Sequence, residues 1–378
     1  MKKWIEKQRN VIDFTLSSLL RRKGRNAALL AVYTFVIFLL ASVMFFVHAL
    51  KNEATLVLKG SPEIIVQRLV AGRQDLVPVK YMDSIAKIRG VDSVRGRLWG
   101  YYYDPAVGAN YTLMAPEDFP LGPRDISIGK GVSRSRVVEE GDMVSFQGHA
   151  GIPLNFQIKE ILPSESELVS SDLILLSEDD FREFFGIPKE YVTDLTLKVK
   201  NSKELLTIAS KIVKLLPDSR PILRNEILRT YDAVFDWRGG ITIVILSSAM
   251  MAFIIFAWDK ASGLSAEERK EIGILKAIGW ETSDVLQMKF WEGVAVSLTS
   301  FLLGIVFAYF HIFFASSTLF EPVLKGWSVL YPNFRLTPFI NAYQVATLFF
   351  LTVVPYTVVT IIPSWRAATI DPDSVMRT

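Results

Sequence analysis

Four stretches of the chain are apolar on every helical face: 27–49 (AALLAVYTFVIFLLASVMFFVHA), 240–258 (GITIVILSSAMMAFIIFAW), 293–315 (GVAVSLTSFLLGIVFAYFHIFFA) and 342–363 (AYQVATLFFLTVVPYTVVTIIP). None holds Asp, Glu, Lys or Arg, and each is close to the roughly 20 residues that cross a hydrocarbon core of about 30 Å. The pattern predicts four transmembrane helices. The thirteen Leu, Ile, Val and Phe residues of the first run favour its insertion by about 4 to 8 kcal/mol. It exceeds a signal h-region in length and no A-x-A-like site follows, so it is read as a span and not as a cleaved leader.

Between the first two spans the period changes. Within 50–239, the runs EIIVQRLV (63–70), DMVSF (142–146), LNFQIKEIL (154–162), DLILL (172–176) and LTLKV (195–199) have strand character. Helical spacing marks YMDSIAKI (81–88), EDDFREFFG (178–186) and SKELLTIASKIVKLL (202–216), the last stopped by Pro217. NEILRTYDAVFDWR (225–238) meets no breaker before Gly239 and is expected to run as a stalk into the second span. The fold class is therefore a polytopic α-helical membrane protein with four transmembrane helices and a large α+β extracytoplasmic domain between the first and second. The leader 1–26 carries Lys2, Lys3, Lys7, Arg9, Arg21, Arg22, Lys23 and Arg25 against Glu6 and Asp13, which puts both termini on the cytoplasmic side of the inner membrane. The loop 259–292 and the tail 364–378 share that side, and 316–341 is a short outer loop.

Composition adds exclusions. Half of the 378 residues are hydrophobic, the net charge is +3 and there is no cysteine. Disulfides and thiolate metal sites are thereby excluded, and the charge distribution shows no nucleic-acid footprint. His48, His149 and His311 are scattered, which suits ordinary polar roles better than metal ligation. No G-x-x-x-x-G-K-[ST] occurs; the nearest approach, Gly129-Lys130, is followed by Gly131. The spans lack the ionisable residues that mark ion pathways, with Glu292 only at the edge of the third. Pro355 should kink or loosen the fourth span, in a hinge or merely in packing. Trp99, Tyr101, Tyr102 and Tyr103 form an aromatic cluster that fits either a ligand surface or a sheet face.

Between the second and third spans stands AEERKEIGILKAIGW (266–280), a dense charge cluster with helix-forming composition. As a helix it aligns Ile274, Ala277 and Ile278 on one stripe, with both signs of charge in the preceding turns. Two readings of this short helix stay open: it lies flat at the membrane interface, or it docks on another protein.

Its wording resembles the coupling helix of the FtsX/MacB/LolC-type permeases, the type VII ABC transporter family, at Glu268, Arg269, Glu271, Ile272, Gly273, Leu275, Ala277 and Gly279. PSWRAATIDPDSVMR (363–377) is similar to that family's closing pattern through Pro363, Arg366, Ala367, Ala368, Asp371, Pro372 and Arg377. FTLSSLLRRKGRN (14–26) resembles its amphipathic lead-in helix, and 126–162, with Gly141-Asp142, its periplasmic core segment. The outer-loop stretch LFEPVLKGWSVLYPNFRL departs from the pattern and has no assigned role.

The resemblance implies a chain that catalyses nothing and binds no cofactor. A separate cytoplasmic ABC ATPase, present in two copies, would use ATP and Mg. Ile272, Leu275 and Ile278 would fill a groove on that ATPase while Glu268, Arg269 and Lys276 fix the register. The other implied partners are a second permease subunit in a homodimer, membrane lipids and, in an envelope that has one, a periplasmic adaptor. The function so implied is export or extraction of an amphipathic molecule: a lipid, lipoprotein, peptide or drug. The alternative is a non-transporting, FtsX-like mechanotransmission protein that regulates a cell-wall hydrolase or sensor.

Overall fold

The structure is a computed structural model. It describes residues 2–117, 119, 121–163, 167–235, 244, 247–248, 250–252, 254–255, 258, 266–322, 329–331 and 336–369. The predicted second span, 240–258, lies for the most part outside the described residues. The chain divides into two compact units, one formed by Met1–Leu50, Phe235–Ser317 and Leu336–Thr378, the other by Lys51–Val234 and Thr318–Arg335.

The first unit is helical. Its described elements are α1 (Lys2–Arg21), α2 (Lys23–Lys59, which runs on into the second unit), and the three helices of the C-terminal half. Among the described residues, helices long and apolar enough to cross a membrane cover Asn26–Glu53, Thr282–Phe313 and Ala342–Ile361, at the first, third and fourth expected spans. The last two belong to α10 (Thr282–Phe313) and α11 (Ala342–Ala368). α11 continues through Pro355 as one helix.

What packs α10 among its neighbours is a stripe of small residues, Gly293, Ser297, Ser300, Gly304 and Ala308, all buried and spaced by three or four. Lipid supplies no hydrophobic drive between helices, so close approach over small side chains must hold them. At Gly304 a Cβ would stand 2.7 Å from Ile37 Cγ2 and 3.1 Å from the Phe38 backbone nitrogen, so α2 rests directly on that position. Further out, His311 Nδ1 lies 3.2 Å from Ser42 Oγ, an ordinary buried polar contact. Tyr33 and Tyr356 meet edge-to-face at 4.7 Å between α2 and α11. The opposite face of α10, with Leu302, Phe307 and Phe310, is exposed and apolar.

The second unit is built on one ten-stranded sheet. Its strands are β1 (Ile64–Val70), β2 (Arg73–Asp75), β4 (Val91–Asp104), β5 (Ala109–Ala115), β6 (Asp125–Ile128), β7 (Met143–Gln147), β8 (Pro153–Ile161), β9 (Leu173–Leu176), β11 (Asp194–Val199) and β12 (Ser219–Leu223). They run in the order β12-β1-β11-β4-β5-β9-β6-β8-β7, with β2 off β1; β3 (Val77–Pro78) and β10 (Tyr191–Val192) pair separately. Short helices cover it: α3 (Lys80–Ala86), α4 (Lys130–Arg136), α5 (Glu167–Ser170), α6 (Glu178–Phe185) and α7 (Leu205–Leu215). α8 (Arg224–Phe235) covers the first part of the stretch expected as a stalk, and residues 236–243, which would join it to the second span, lie outside the described residues.

The aromatic cluster resolves by strand alternation. Tyr102 faces inward, edge-to-face with Phe146 and Phe184 at 5.7 and 5.3 Å, while Tyr101 and Tyr103 are exposed on the other face. Trp99 shares that outer face and is tied down by its indole nitrogen, which donates to the buried Asp194 carboxylate at 2.9 Å; Arg97 grips the same carboxylate with two bonds. The outer-loop stretch without an assigned role also finds its place. Residues 318–335 belong to this unit, where Leu330 packs against the core, Ser171 Oγ donates to the Leu330 carbonyl at 2.9 Å and Arg134 donates to the Tyr331 carbonyl at 2.7 Å.

At the sheet's other end, Asp218 accepts from Arg68 Nε at 2.8 Å and from the Tyr81 hydroxyl at 2.9 Å. The Arg68 hydrogen bond holds its carboxyl below the usual range, and the Tyr81 bond adds to that. A depressed carboxylate pKa gives stability that is complete above the unfolded value, near 3.9, and is lost as pH falls through the folded one. Asp218→Asn is therefore expected to lower the thermal midpoint at neutral pH by a constant amount, and by less and less as pH falls below about 3.9. Equal losses above and below that pH would sink this account.

Candidate functional site

The charged stretch folds as α9, Ala266–Ala277, immediately ahead of α10. Gly279 ends it at φ +102°, a left-handed conformation natural only to glycine, and Gly279 N donates to the Lys276 carbonyl at 3.0 Å. Trp280 N then bonds the Leu275 carbonyl at 3.0 Å, which turns the indole back over the helix. Glu281 and Asp284 form a reciprocal capping box at the start of α10. The "A-x-G-W" of the sequence is thus a helix stop and a tight corner.

Apolar side chains of α9 point two ways. Ile272 and Leu275 are 4% and 6% exposed, whereas Ile274 and, in the turn that follows the helix, Ile278 are 48% and 69% exposed. Ile272 packs with Val285 and Trp280; Leu275 joins Val11, Met288, Phe14 and Trp291. Gly273 is also buried, while Ala277 and Gly279 lie open to solvent. The expected stripe of Ile272, Leu275 and Ile278 is consequently split. Its first two members are occupied inside the chain, and the open apolar face is Ile274, Ala277 and Ile278.

The inner face is held by α1. Glu271 accepts from Arg21 at 3.0 Å, from Arg22 at 2.5 Å and, more weakly, from Ser18 Oγ at 3.4 Å. Lys7 meets Asp284 at 2.6 Å, and this carboxylate raises the ammonium's pKa above its ordinary value. Gln8 bridges Gln287 and the Trp291 indole, both at 3.0 Å. Phe14 meets Trp280 in a tilted ring contact at 5.3 Å, and the Arg21 guanidinium lies 5.8 Å from the Phe14 ring centre. Lys289 pairs with Glu292 at 2.6 Å, which gives Glu292 a local partner at the end of the span. Glu271 is thus a tie within the unit.

Glu268 and Arg269 lie on the helix, but their side chains fall outside the described ones, and Lys276 is half-buried and engaged. Of the C-terminal motif, Pro363, Arg366, Ala367 and Ala368 are in the last turns of α11, and Asp371, Pro372 and Arg377 lie outside the described residues. In the core segment, Gly141 takes φ +92° and donates to the Ile158 carbonyl at 2.8 Å, while Asp142 accepts from Glu139 N at 2.8 Å. That Gly-Asp pair makes the turn into β7. What the sequence did not reveal is the lead-in helix as the bed of α9. Its contact stripe, Gln8, Val11, Thr15, Ser18 and Arg22, is too polar to read as a packing face.

The charged helix is short, open on one side and set directly before an apolar helix long enough to cross a membrane. Residues 240–372 match the family model described as FtsX-like permease C-terminal. The ABC transporter permease MJ1507 of Methanocaldococcus jannaschii is 25% identical over 191 residues, covering 47% of this chain and 46% of that protein. The chain thus matches about half the length of this relative. The similarity is thus to ABC transporter permeases, and over residues 240–372 to the C-terminal part of FtsX-like permeases. Two solved structures are also similar. The extracellular domain of the ABC-type transporter YknZ from Gram-positive bacteria is 10% identical, with TM-score 0.30, over 43% of this chain and all of that one. The periplasmic region of MacB from Actinobacillus actinomycetemcomitans is 9% identical, with TM-score 0.32, over 46% of this chain and 94% of that one. At those scores neither carries an argument about the α+β unit.

Proposed function

We propose that this chain is the non-catalytic membrane subunit of an ATP-driven complex in the cytoplasmic membrane, with α9 as the point where a separate ABC ATPase attaches. Two copies of the chain pair over two ATPase subunits, both termini face the cytoplasm, and nucleotide-driven closure is passed to the α+β unit on the outer side. The work done there is export or extraction of an amphipathic or lipophilic molecule. The observation that carries the reading is the two-sided character of α9. One face is fixed to α1 and α10 by buried contacts and a shared carboxylate, and the other leaves Ile274 and Ile278 uncovered. A helix that only lay on the membrane would not need its inner face tied by ion pairs on both sides of Glu271.

The test is purification of the full chain from its own membrane. An ABC ATPase is expected to accompany it in equal amount, and its hydrolysis rate should rise when a lipid, lipoprotein or hydrophobic peptide extracted from that membrane is returned. Absence of any ATPase from the purified chain would refute the reading. An ATPase stimulated by a wall hydrolase and by no amphiphile would replace export with mechanical regulation.

A further inference from the structure

Helix α1 has a second face that the contacts with α9 and α10 leave unused. Turning away from the buried stripe, Ile5, Arg9, Ile12, Leu16 and Leu20 follow one another at i, i+4, i+7, i+11 and i+15, a continuous line along the helix. Ile5, Leu16 and Leu20 are 53%, 45% and 74% exposed. This line continues past a break at Arg22 into α2, which becomes a membrane-spanning helix from Asn26 on. Residues 1–26 carry eight Lys or Arg against two acidic residues. Of these, Arg9 sits within the apolar line and Lys23 at its end, both exposed.

We infer that α1 docks this outer line on anionic lipid headgroups, and that the charge of the bilayer thereby sets how α9 is held. Two arguments commit the surface to lipid and not to protein. It is continuous with a membrane span, and its excess of basic over acidic residues complements an anionic leaflet. Apolar side chains with flanking Arg and Lys suit the boundary between headgroup and acyl chain, where stems bury and charges reach phosphate. The coupling to α9 follows from the opposite stripe. Arg21 and Arg22 both grip Glu271, Val11 packs on Leu275, and Lys7 and Gln8 hold the first turns of α10. A helix fastened along one side and laid on lipid along the other transmits a change on the second to the first. This inference goes beyond the proposed ATPase attachment and does not depend on it.

The absence of cysteine makes single-site labelling unambiguous. Spin labels are placed by Leu16→Cys on the line, by Ser17→Cys beside it and by Ile278→Cys on α9, each in the full chain reconstituted in nanodiscs of phosphatidylcholine alone or mixed equally with phosphatidylglycerol. At position 16, relaxation by oxygen relative to a water-soluble nickel complex should rise several-fold on adding phosphatidylglycerol; position 17 should change little. The mobility of the label at 278 should shift with the same lipid. Arg9→Glu with Lys23→Glu should remove both responses, and Glu271→Gln only the second. Equal accessibility at 16 and 17 in both lipids overturns the docking. Protection at 16 that tracks protein concentration and ignores lipid assigns the surface to a second copy and overturns it as well. A response at 16 with none at 278 overturns the link to α9.

Discussion

Gly129→Ala is expected to destabilise the α+β unit by about 3 kcal/mol or more, at the upper end of what overpacking costs. A Cβ at this position would lie 1.8 Å from the Ser170 carbonyl oxygen and 2.7 Å from that of Ser171. These are backbone atoms and cannot swing aside as a side chain would. Gly131 repeats the constraint, with a Cβ 2.6 Å from the Ser171 carbonyl oxygen. The reason for such closeness is the crossing of two segments: Gly129 N donates to the Leu173 carbonyl at 2.7 Å and Val132 N to that of Ser171 at 3.1 Å. The same Ser170–Leu173 stretch reaches Leu330 through Ser171 Oγ, so the outer-loop segment rests on this junction.

The effect at 129 is steric and not conformational, because its φ is −70°, open to any residue. Gly141 provides the opposite case: φ is +92° and nothing lies within 4 Å of its Cβ. Alanine there should cost about 1 kcal/mol through backbone strain, and asparagine, which tolerates the left-handed region, should recover part of it. At 129 asparagine should be no better than alanine. Denaturant unfolding of the full chain in detergent, followed by protection of the α+β unit from protease, separates the two. A Gly129→Ala chain within about 1 kcal/mol of the parent would show that the crossing segments part easily.

The sequence made much of the fold legible where burial follows a simple period. β1, β7, β8, β9 and β11 lie on the stretches expected of strands, and α3, α6 and α7 on those expected of helices. β4, the longest strand at 14 residues, escaped notice. Its inward face is Leu98, Gly100 and Tyr102 and its outward face Trp99, Tyr101 and Tyr103, so aromatics on both sides and glycines within erase the alternation that marks a strand. Gly100 is small because the Phe185 ring fills its place, 2.9 Å from where a Cβ would stand, a long-range fact that no local pattern encodes. The charged segment that forms α9 was legible as a helix but not in its facing. Ile272 and Leu275 are covered while Ile274 and Ile278, on an adjoining side, are open, so hydrophobic residues alone cannot say which side is covered. The polar stripe of α1 decides it, through contacts with residues some 250 positions away.

That division sets the sharpest expectation for the proposed docking. If Ile272 and Leu275 were the docking pair, α9 would first have to expose two side chains that are almost fully buried, at about 1.5 to 3 kcal/mol each. Ile274 and Ile278 require no such rearrangement. Ile274→Asp with Ile278→Asp is therefore expected to weaken ATPase attachment by about 3 to 4 kcal/mol, 10²- to 10³-fold in Kd. Both side chains already face solvent, so the chain's own stability should hold within about 0.5 kcal/mol. Leu275→Asp should behave differently: a carboxylate placed among Val11, Met288 and Trp291 unsettles the packing of α1 and lowers stability first. Titration of the purified ATPase onto the chain in nanodiscs gives the affinities, and thermal unfolding of the chain alone gives the stabilities. Unchanged affinity in the Ile274, Ile278 double variant would remove the open face of α9 from the interface, and with it the physical case for α9 as the point where the motor takes hold.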